Sequence, residues 1–291
     1  IDERWEYIPD RERLRSDIVY DLAEDRDGEL WCATQYGLSR FDGASWMTWT
    51  MDEGLPGNDV FSVAAAPDGS VWCTTGGKIC RFDGESFTAY PAPVSSELPP
   101  EFDLLGPIAV NRDGTVWACV GGRHSIGSNT YRLKGLWKFR DGMWEEFPLG
   151  FGREKLVAGI YPDDRGILWY ITSLGLASWD GKERRLYRVN APDHTMAAQM
   201  ITDRDGAVWV ASAASSAVFY AARYEGTSWK VFATGVTPEI FSTSVQVDTR
   251  NRKWFSGARY LDGDSLKTVL NYTEIPDYGQ HGFVVEGDGI L

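Results

Sequence analysis

Residues 14–43 read LRSDIVYDLAEDRDGELWCATQYGLSRFDG, and the phrase DGELW within them, ending at Trp31, decides how the whole chain is read. It returns as DGSVW ending at Trp72, DGTVW at Trp117, RGILW at Trp169, DGAVW at Trp209 and, reduced, NRKW at Trp254. These tryptophans lie 41, 45, 52, 40 and 45 residues apart, the period of a four-stranded propeller blade. A second phrase, an aromatic residue or Leu with an acid and Gly, follows each one. It reads FDG from Phe41 and from Phe82, FRDG from Phe139, WDG from Trp179, YEG from Tyr224 and LDG from Leu261. Two turn signals per repeat, flanked by short apolar runs, leave room for strands and none for a long helix.

Three residues before the tryptophans stand Gly28, Gly69, Gly114, Gly166 and Gly206, and in the sixth repeat Asn251. One backbone requirement accounts for all six: Gly reaches positive φ without steric cost, and Asn tolerates the left-handed region better than other residues. The first turn therefore joins the innermost strand to the second, and runs such as LWCAT and VWVAS are second strands. The second turn leads into an outer strand marked by bulky residues three apart: Trp46 and Trp49, Phe87 and Tyr90, Trp144 and Phe147, Trp229 and Phe232. Residues three apart on a strand point to opposite faces. Both faces of a propeller blade are covered by neighbours, so aromatics on both sides are what radial packing requires.

The expected fold is all-β: a seven-bladed β-propeller with four-stranded antiparallel blades, forming a single domain over 1–291. The blades fall at approximately 16–50, 58–92, 105–150, 156–190, 196–233, 241–272, and 280–291 with 1–10. The last is shared between the termini. Trp5 and Ile8 in ERWEYI repeat the outer-strand spacing, and FVVEGDGIL supplies an inner strand and the Asp288-Gly289 turn. It stops one residue before the next tryptophan is due, so the blade is expected to be incomplete, cut inside a repeat.

Composition agrees. A chain of 291 residues with 43% hydrophobic content can bury a large core. The longest weakly polar stretch, 207–222, contains Ser212, Ser215 and Ser216 and suits a strand hairpin, whereas a membrane span needs about 20 predominantly apolar residues. No direct membrane insertion is expected of this segment, and no signal peptide is visible, so a mature or excised domain is expected. A formal charge of -13 repels phosphate backbones, and no Lys/Arg stripe overrides it, which excludes nucleic acid as a partner. Cys32, Cys73, Cys80 and Cys119 read as reduced core thiols, since free Cys behaves as a small hydrophobe. Cys73 with Cys80 is the pairing the sequence brings close, unless a three-residue hairpin loop puts them out of register.

Leu14 to Gly43 and GLPGNDVFSVAAAPDGSVWCTT (Gly54 to Thr75) resemble two-component regulator propeller repeats. That family's pattern runs Gly-Leu-Pro, a polar pair, an apolar strand, Asp-x-x-Gly-x-Leu-Trp-x-Gly-Thr, then Gly-Leu and an aromatic-Asp. The likeness is strongest in the first two repeats and fades in the sixth. It departs where Cys32-Ala33 and Cys73-Thr74 replace the usual apolar-Gly pair. The resemblance implies a sensor region of a hybrid histidine kinase, periplasmic or extracellular, often responding to oligosaccharides, with a kinase output domain in the full-length protein.

Repeat irregularity locates a candidate site. The second-to-third-strand hairpin takes ten residues from Trp31 to Phe41, from Trp72 to Phe82 and from Trp169 to Trp179, but 22 from Trp117 to Phe139 and 15 from Trp209 to Tyr224. These hairpins and the blade junctions share one face around the channel mouth. The candidate ligand-binding residues there are Tyr36, Arg123, His124, Tyr131, His194, Tyr220, Tyr278 and His281. Flat aromatic faces beside hydrogen-bond donors suit a sugar. The acidic balance favours a small-molecule or neutral oligosaccharide ligand. Loops carry function disproportionately, yet they also tolerate neutral insertion, so decoration is the other reading.

No metal and no cofactor are expected. A three-histidine zinc site would need His124, His194 and His281 to converge within about 2.0 to 2.1 Å of one ion, and no paired motif supports that. The turn acids Asp27, Asp42, Asp68 and Asp83 read as structural, and Asp59, Asp193 and Asp277 near the blade starts as caps of backbone amides. No catalytic residue is assigned and the chain is expected not to be an enzyme. Three function classes stay open: a non-enzymatic sensor, a protein-interaction scaffold with an apolar patch on its rim, and an enzyme similar to streptogramin lyases. The last needs His and Glu acting together with Mg²⁺. His281 and Glu286 are five apart on an extended strand, about 16 Å distant and on opposite faces.

Overall fold

The computed structural model describes residues 14–16, 18–91, 105–120, 135–148, 157–163, 165–172, 175–187, 195–214, 218–225, 228–236, 245–247, 251–255, 259–262 and 265–268. They form six sheets, each of four strands in chain order, in two compact units, one holding the first four sheets and the other the last two. Blade 1 is β1 (Val19–Glu24), β2 (Leu30–Thr34), β3 (Gly37–Phe41) and β4 (Trp46–Trp49); blade 2 is β5 (Val60–Ala65), β6 (Val71–Thr75), β7 (Lys78–Phe82) and β8 (Phe87–Pro91). Blade 3 is β9 (Leu105–Val110), β10 (Val116–Val120), β11 (Gly135–Arg140) and β12 (Met143–Phe147); blade 4 is β13 (Val157–Pro162), β14 (Leu168–Thr172), β15 (Gly175–Trp179) and β16 (Arg184–Tyr187). In the second unit, blade 5 is β17 (Thr195–Thr202), β18 (Val208–Ala214), β19 (Val218–Tyr224) and β20 (Trp229–Val236). Blade 6 is β21 (Val245–Val247), β22 (Lys253–Phe255), β23 (Arg259–Asp262) and β24 (Ser265–Thr268). The fold is an all-β propeller with four-stranded antiparallel blades, but six blades are described where seven were expected. The seventh, 280–291 with 1–10, lies outside the described residues.

The turn between first and second strands has the backbone the repeat requires. Gly28, Gly69, Gly114, Gly166 and Gly206 have φ between 79° and 86°, and Asn251 has φ 63°. In blades 1, 4 and 5 an acid six residues before the tryptophan closes this turn. In blade 1, Asp25 Oδ1 accepts the amides of Asp27 and Glu29, and Oδ2 accepts the Trp31 indole N–H at 2.8 Å. Asp163 and Asp203 hold Trp169 and Trp209 in the same way, at 3.0 and 2.8 Å. Each tryptophan is thereby pinned at its polar edge while the rest of its ring is buried.

The aromatic pairs of the outer strands do divide between the two faces. The first member packs on its own third strand: Trp46 on Phe41, Phe87 on Phe82, Trp144 on Phe139, Trp229 on Tyr224. The second joins the tryptophan of the second strand and reaches the next blade. Trp31, Trp49 and Phe82 form one such triad, with centroids 4.9 to 5.8 Å apart. Trp72, Tyr90 and Phe139 form the next, and Trp117, Phe147 and Trp179 the third. Apolar clusters accordingly lie between blades, not within them.

At the other edge the first strands adjoin one another, β1 with β5 and β5 with β9. There a polar chain joins three blades. Ser62 Oγ donates to Asp21 Oδ2 at 2.6 Å, the Val63 amide donates to the same oxygen at 3.1 Å, and Ser62 Oγ accepts the Ile108 amide at 3.1 Å. Edge amides of β5 and β9, which lack a strand partner on that side, are satisfied by side chains of the preceding blade. A bulge at Tyr20 in β1 and at Phe61 in β5 precedes each of these contacts.

Candidate functional site

Of the eight expected ligand residues, the structure describes Tyr36 and the backbone of Tyr220. Tyr36 sits with Gln35 in a two-residue turn, Thr34 pairing with Gly37. Its amide donates to Thr34 Oγ1 at 3.1 Å, the Thr34 hydroxyl donates to Gly37 O at 2.8 Å, and the Gln35 amide donates to Ile18 O at 3.3 Å. Gly37 has φ 126°, and a Cβ there would strike the carbonyl oxygen of Trp49. The turn is held on both sides, and the Tyr36 side chain stands out from it, exposed.

Tyr220 is placed in β19, opposite Ser212 and Ala233, not in a hairpin loop. Four of the five extra residues of the fifth repeat are taken up by longer strands, β18 and β19 having seven residues where β2 and β3 have five. Their small and β-prone residues, VWVASAA and VFYAARY, continue the ladder instead of leaving it. Arg123, His124, Tyr131, His194, Tyr278 and His281 lie outside the described residues, as do Asp193, Asp277 and Glu286.

The turn acids act on backbone amides, with two departures. Asp42 Oδ1 accepts Ala44 and Ser45 N–H, and Asp83 Oδ1 accepts Glu85 and Ser86 N–H; these bonds hold both carboxyls below the ordinary range. Asp68 caps Ser70 and meets Arg81 at 3.1 Å. In the first turn, however, Asp25 is the cap, and Asp27 lies beside Arg26 at 3.5 Å in solvent. Asp59, expected as a cap, makes no hydrogen bond or ion pair among the described residues; its carboxylate is exposed just before β5.

The cysteines are free and buried, as expected for core thiols. The β6–β7 loop has two residues, so Cys73 stands directly opposite Cys80. Their mutual hydrogen bond, with burial, holds the Cys73 thiol well above its ordinary pKa, and burial alone raises Cys32 to about 12. Neither is a thiolate at neutral pH, so neither is a nucleophile. Among the described residues no three His, Cys, Asp or Glu side chains gather as metal ligands.

One surface feature escaped the sequence reading. Tyr20 and Phe61, exposed at the two bulges, meet with ring centroids 5.5 Å apart and planes inclined by 38°. Partial burial, and then the Asp59 carboxylate, raise the Tyr20 phenol above its ordinary pKa. The signal was in the repeat: Tyr20 and Phe61 stand 11 residues before Trp31 and Trp72, and Ile18 and Asp59 stand 13 before.

Residues 13–36 match the family model of the two component regulator propeller. This segment runs through β1, the latched turn and β2 to Tyr36, so the regulator-propeller repeat includes the exposed turn described above. No curated protein sequence matches the chain significantly. Among solved structures, the extracellular domain of B. thetaiotaomicron BT3049, assigned to a hybrid two component system, aligns with TM-score 0.65 and 16% identity, over 94% of this chain and 39% of its own. The extracellular domain of BT4673 from the same organism, assigned to a one component system, aligns with TM-score 0.62 and 15% identity, over 89% and 34%. PorZ, an essential surface component of the type-IX secretion system of Porphyromonas gingivalis, aligns with TM-score 0.66 and 14% identity, over 93% and 44%. The chain thus spans well under half the length of these structures, and at such identities the likeness is one of fold. Among the described residues no helix is long and apolar enough to cross a membrane.

Proposed function

We propose that this chain is a non-enzymatic, ligand-binding sensor propeller of a bacterial two-component signalling protein, periplasmic or extracellular, whose full-length form carries a kinase output domain. The observation that carries the reading is the match of residues 13–36 to the two component regulator propeller, in a chain whose repeats continue through six four-stranded blades. The extracellular domains of BT3049 and BT4673, similar in fold, support it. In this reading residues 1–291 form one ring, closed by a seventh blade of 280–291 with 1–10. Its ligand is a neutral oligosaccharide at the channel mouth, met by Tyr36, Arg123, His124, Tyr131, His194, Tyr220, Tyr278 and His281. Calorimetry against neutral and anionic oligosaccharides tests it. Saturable binding of a neutral member, weakened by Tyr131→Ala, is expected; binding indifferent to every mouth substitution would remove the site assignment.

A protein-interaction surface is the second reading, and one observation favours it. Ile18, Tyr20, Tyr36 and Phe61 are all exposed large apolar residues on blades 1 and 2. Tyr20 and Phe61 touch, and a cluster of exposed apolar groups is what a scaffold requires. A pull of the chain into a larger complex that is lost in Tyr36→Ala, with no oligosaccharide bound, would favour this reading over the sensor.

A further inference from the structure

Equivalent positions of the first two repeats build a small surface that the oligosaccharide reading leaves unused and to which the interaction reading assigns no ligand chemistry. Along β1 and its approach, Ile18 and Tyr20 are exposed, by 44% and 45%; along β5 and its approach, Asp59 and Phe61 are exposed, Phe61 by 39%. Asp59 and Phe61 alternate with buried Val60 and Ser62, so carboxylate and ring share one face of the strand. The bulges at Tyr20 and Phe61 turn the two rings outward and bring their centroids to 5.5 Å, inclined by 38°. The register shift itself belongs to the repeat, since blades 3, 4 and 5 have it too; what differs is the residue placed at it. Blades 3 and 4 hold Gly106 and Ala158 at this register position, so the ring pair is particular to blades 1 and 2.

We infer that Tyr20, Phe61 and Asp59 form a binding site for an alkylammonium cation. The ring geometry separates this from a sugar platform. A pyranose needs a flat aromatic face, whereas two rings inclined to one another make a shallow notch. A cation in that notch lies within about 6 Å of both centroids, the range of cation–π attraction. Asp59 supplies the countercharge and is free to do so, since it makes no ion pair among the described residues. The net charge of -13 also draws a cation toward this surface. The chemistry serves a free quaternary amine or a lysine side chain of a partner protein equally. The inference goes beyond the oligosaccharide reading and does not rest on it.

The test is a titration of the ¹⁵N-labelled chain followed by NMR, with three probes: tetramethylammonium chloride, N-acetyl-lysine methylamide, and the uncharged isostere 3,3-dimethyl-1-butanol. Shifts at the amides of Tyr20 and Phe61 are expected with at least one cation, and weaker binding at higher salt. Tyr20→Ala and Asp59→Asn should each weaken binding about three- to fivefold, while Tyr20→Phe, which keeps the ring, should retain it. Preference for tetramethylammonium assigns a free quaternary amine, and preference for the lysine amide assigns a protein side chain. An equal response to the neutral isostere, or cation binding unchanged in both weakened variants, overturns the site. Oligosaccharide binding lost in Tyr131→Ala but kept in Asp59→Asn would leave the sensor reading standing whichever way the cation titration falls.

Discussion

Asn111 breaks the latch that holds Trp31, Trp169 and Trp209. It occupies the place of Asp25, Asp163 and Asp203, yet its Oδ1 and the Trp117 indole N–H are both buried and both without a partner. Replacing it by Asp should give that N–H an acceptor. Asn111→Asp is expected to stabilise the chain by about 1 kcal/mol near neutral pH, read as a rise in melting temperature that disappears in acid. Asp203 shows what the intact latch does. Burial opposes its ionisation, but the Trp209 indole, the Ala207 amide and the Lys253 ammonium at 3.1 Å hold its pKa below the ordinary value. A depressed carboxylate pKa gives stability that is present above the unfolded value of about 3.9 and lost as pH falls through the folded one. Asp203→Ala strands a nearly buried lysine and should cost about 3 to 5 kcal/mol at pH 7. Its melting temperature should approach that of the parent chain as the pH is lowered; a constant gap down to acid pH would contradict the linkage.

At the scale of strands and blades, repetition makes sequence and structure agree. The six turn positions from Gly28 to Asn251, and the outer-strand aromatics from Trp46 to Phe232, were legible because each recurs with fixed spacing and one physical reason. What does not recur was harder to read. The stretch 207–222 suits a strand hairpin, and most of the surplus residues of the fifth repeat continue its ladder. Tyr20 and Phe61 look like ordinary alternating strand residues; only their shared place, 11 residues before Trp31 and Trp72, marks them as a pair. Ser62 likewise reads as a filler in β5, although it ties three blades together. Ser62→Ala removes one of three donors to the half-buried Asp21, which keeps the Leu22 and Val63 amides, and takes away the acceptor of the Ile108 amide. A buried amide left unpaired costs about 1 to 3 kcal/mol. The substitution should therefore lower the melting temperature by more than an alanine replacement of exposed Ser45 in the blade 1 turn, and equal effects would show that the inter-blade chain is not stabilising.

At the scale of the whole molecule, the proposed sensor function requires a closed ring. If residues 1–10 complete the last blade, their removal takes Trp5 and Tyr7 from a closing strand, each large side chain contributing roughly 1.5 to 3 kcal/mol when fully buried. Deleting 1–10 should lower the melting temperature sharply, and an unchanged midpoint would remove the shared blade. The repeat period made the architecture legible. The site was less so, because Arg123, His124 and Tyr131 stand where the repeat is broken, and a residue outside a pattern has no register to inherit. Sensing without turnover is the central claim, and one measurement addresses both halves of it. Purified chain is titrated calorimetrically with the panel of neutral and anionic oligosaccharides, and each recovered oligosaccharide is then weighed by mass spectrometry. Saturable heat with a neutral member that is recovered at unchanged mass is the predicted result; no saturable heat with any member, or recovery of cleaved or eliminated product, would contradict the account.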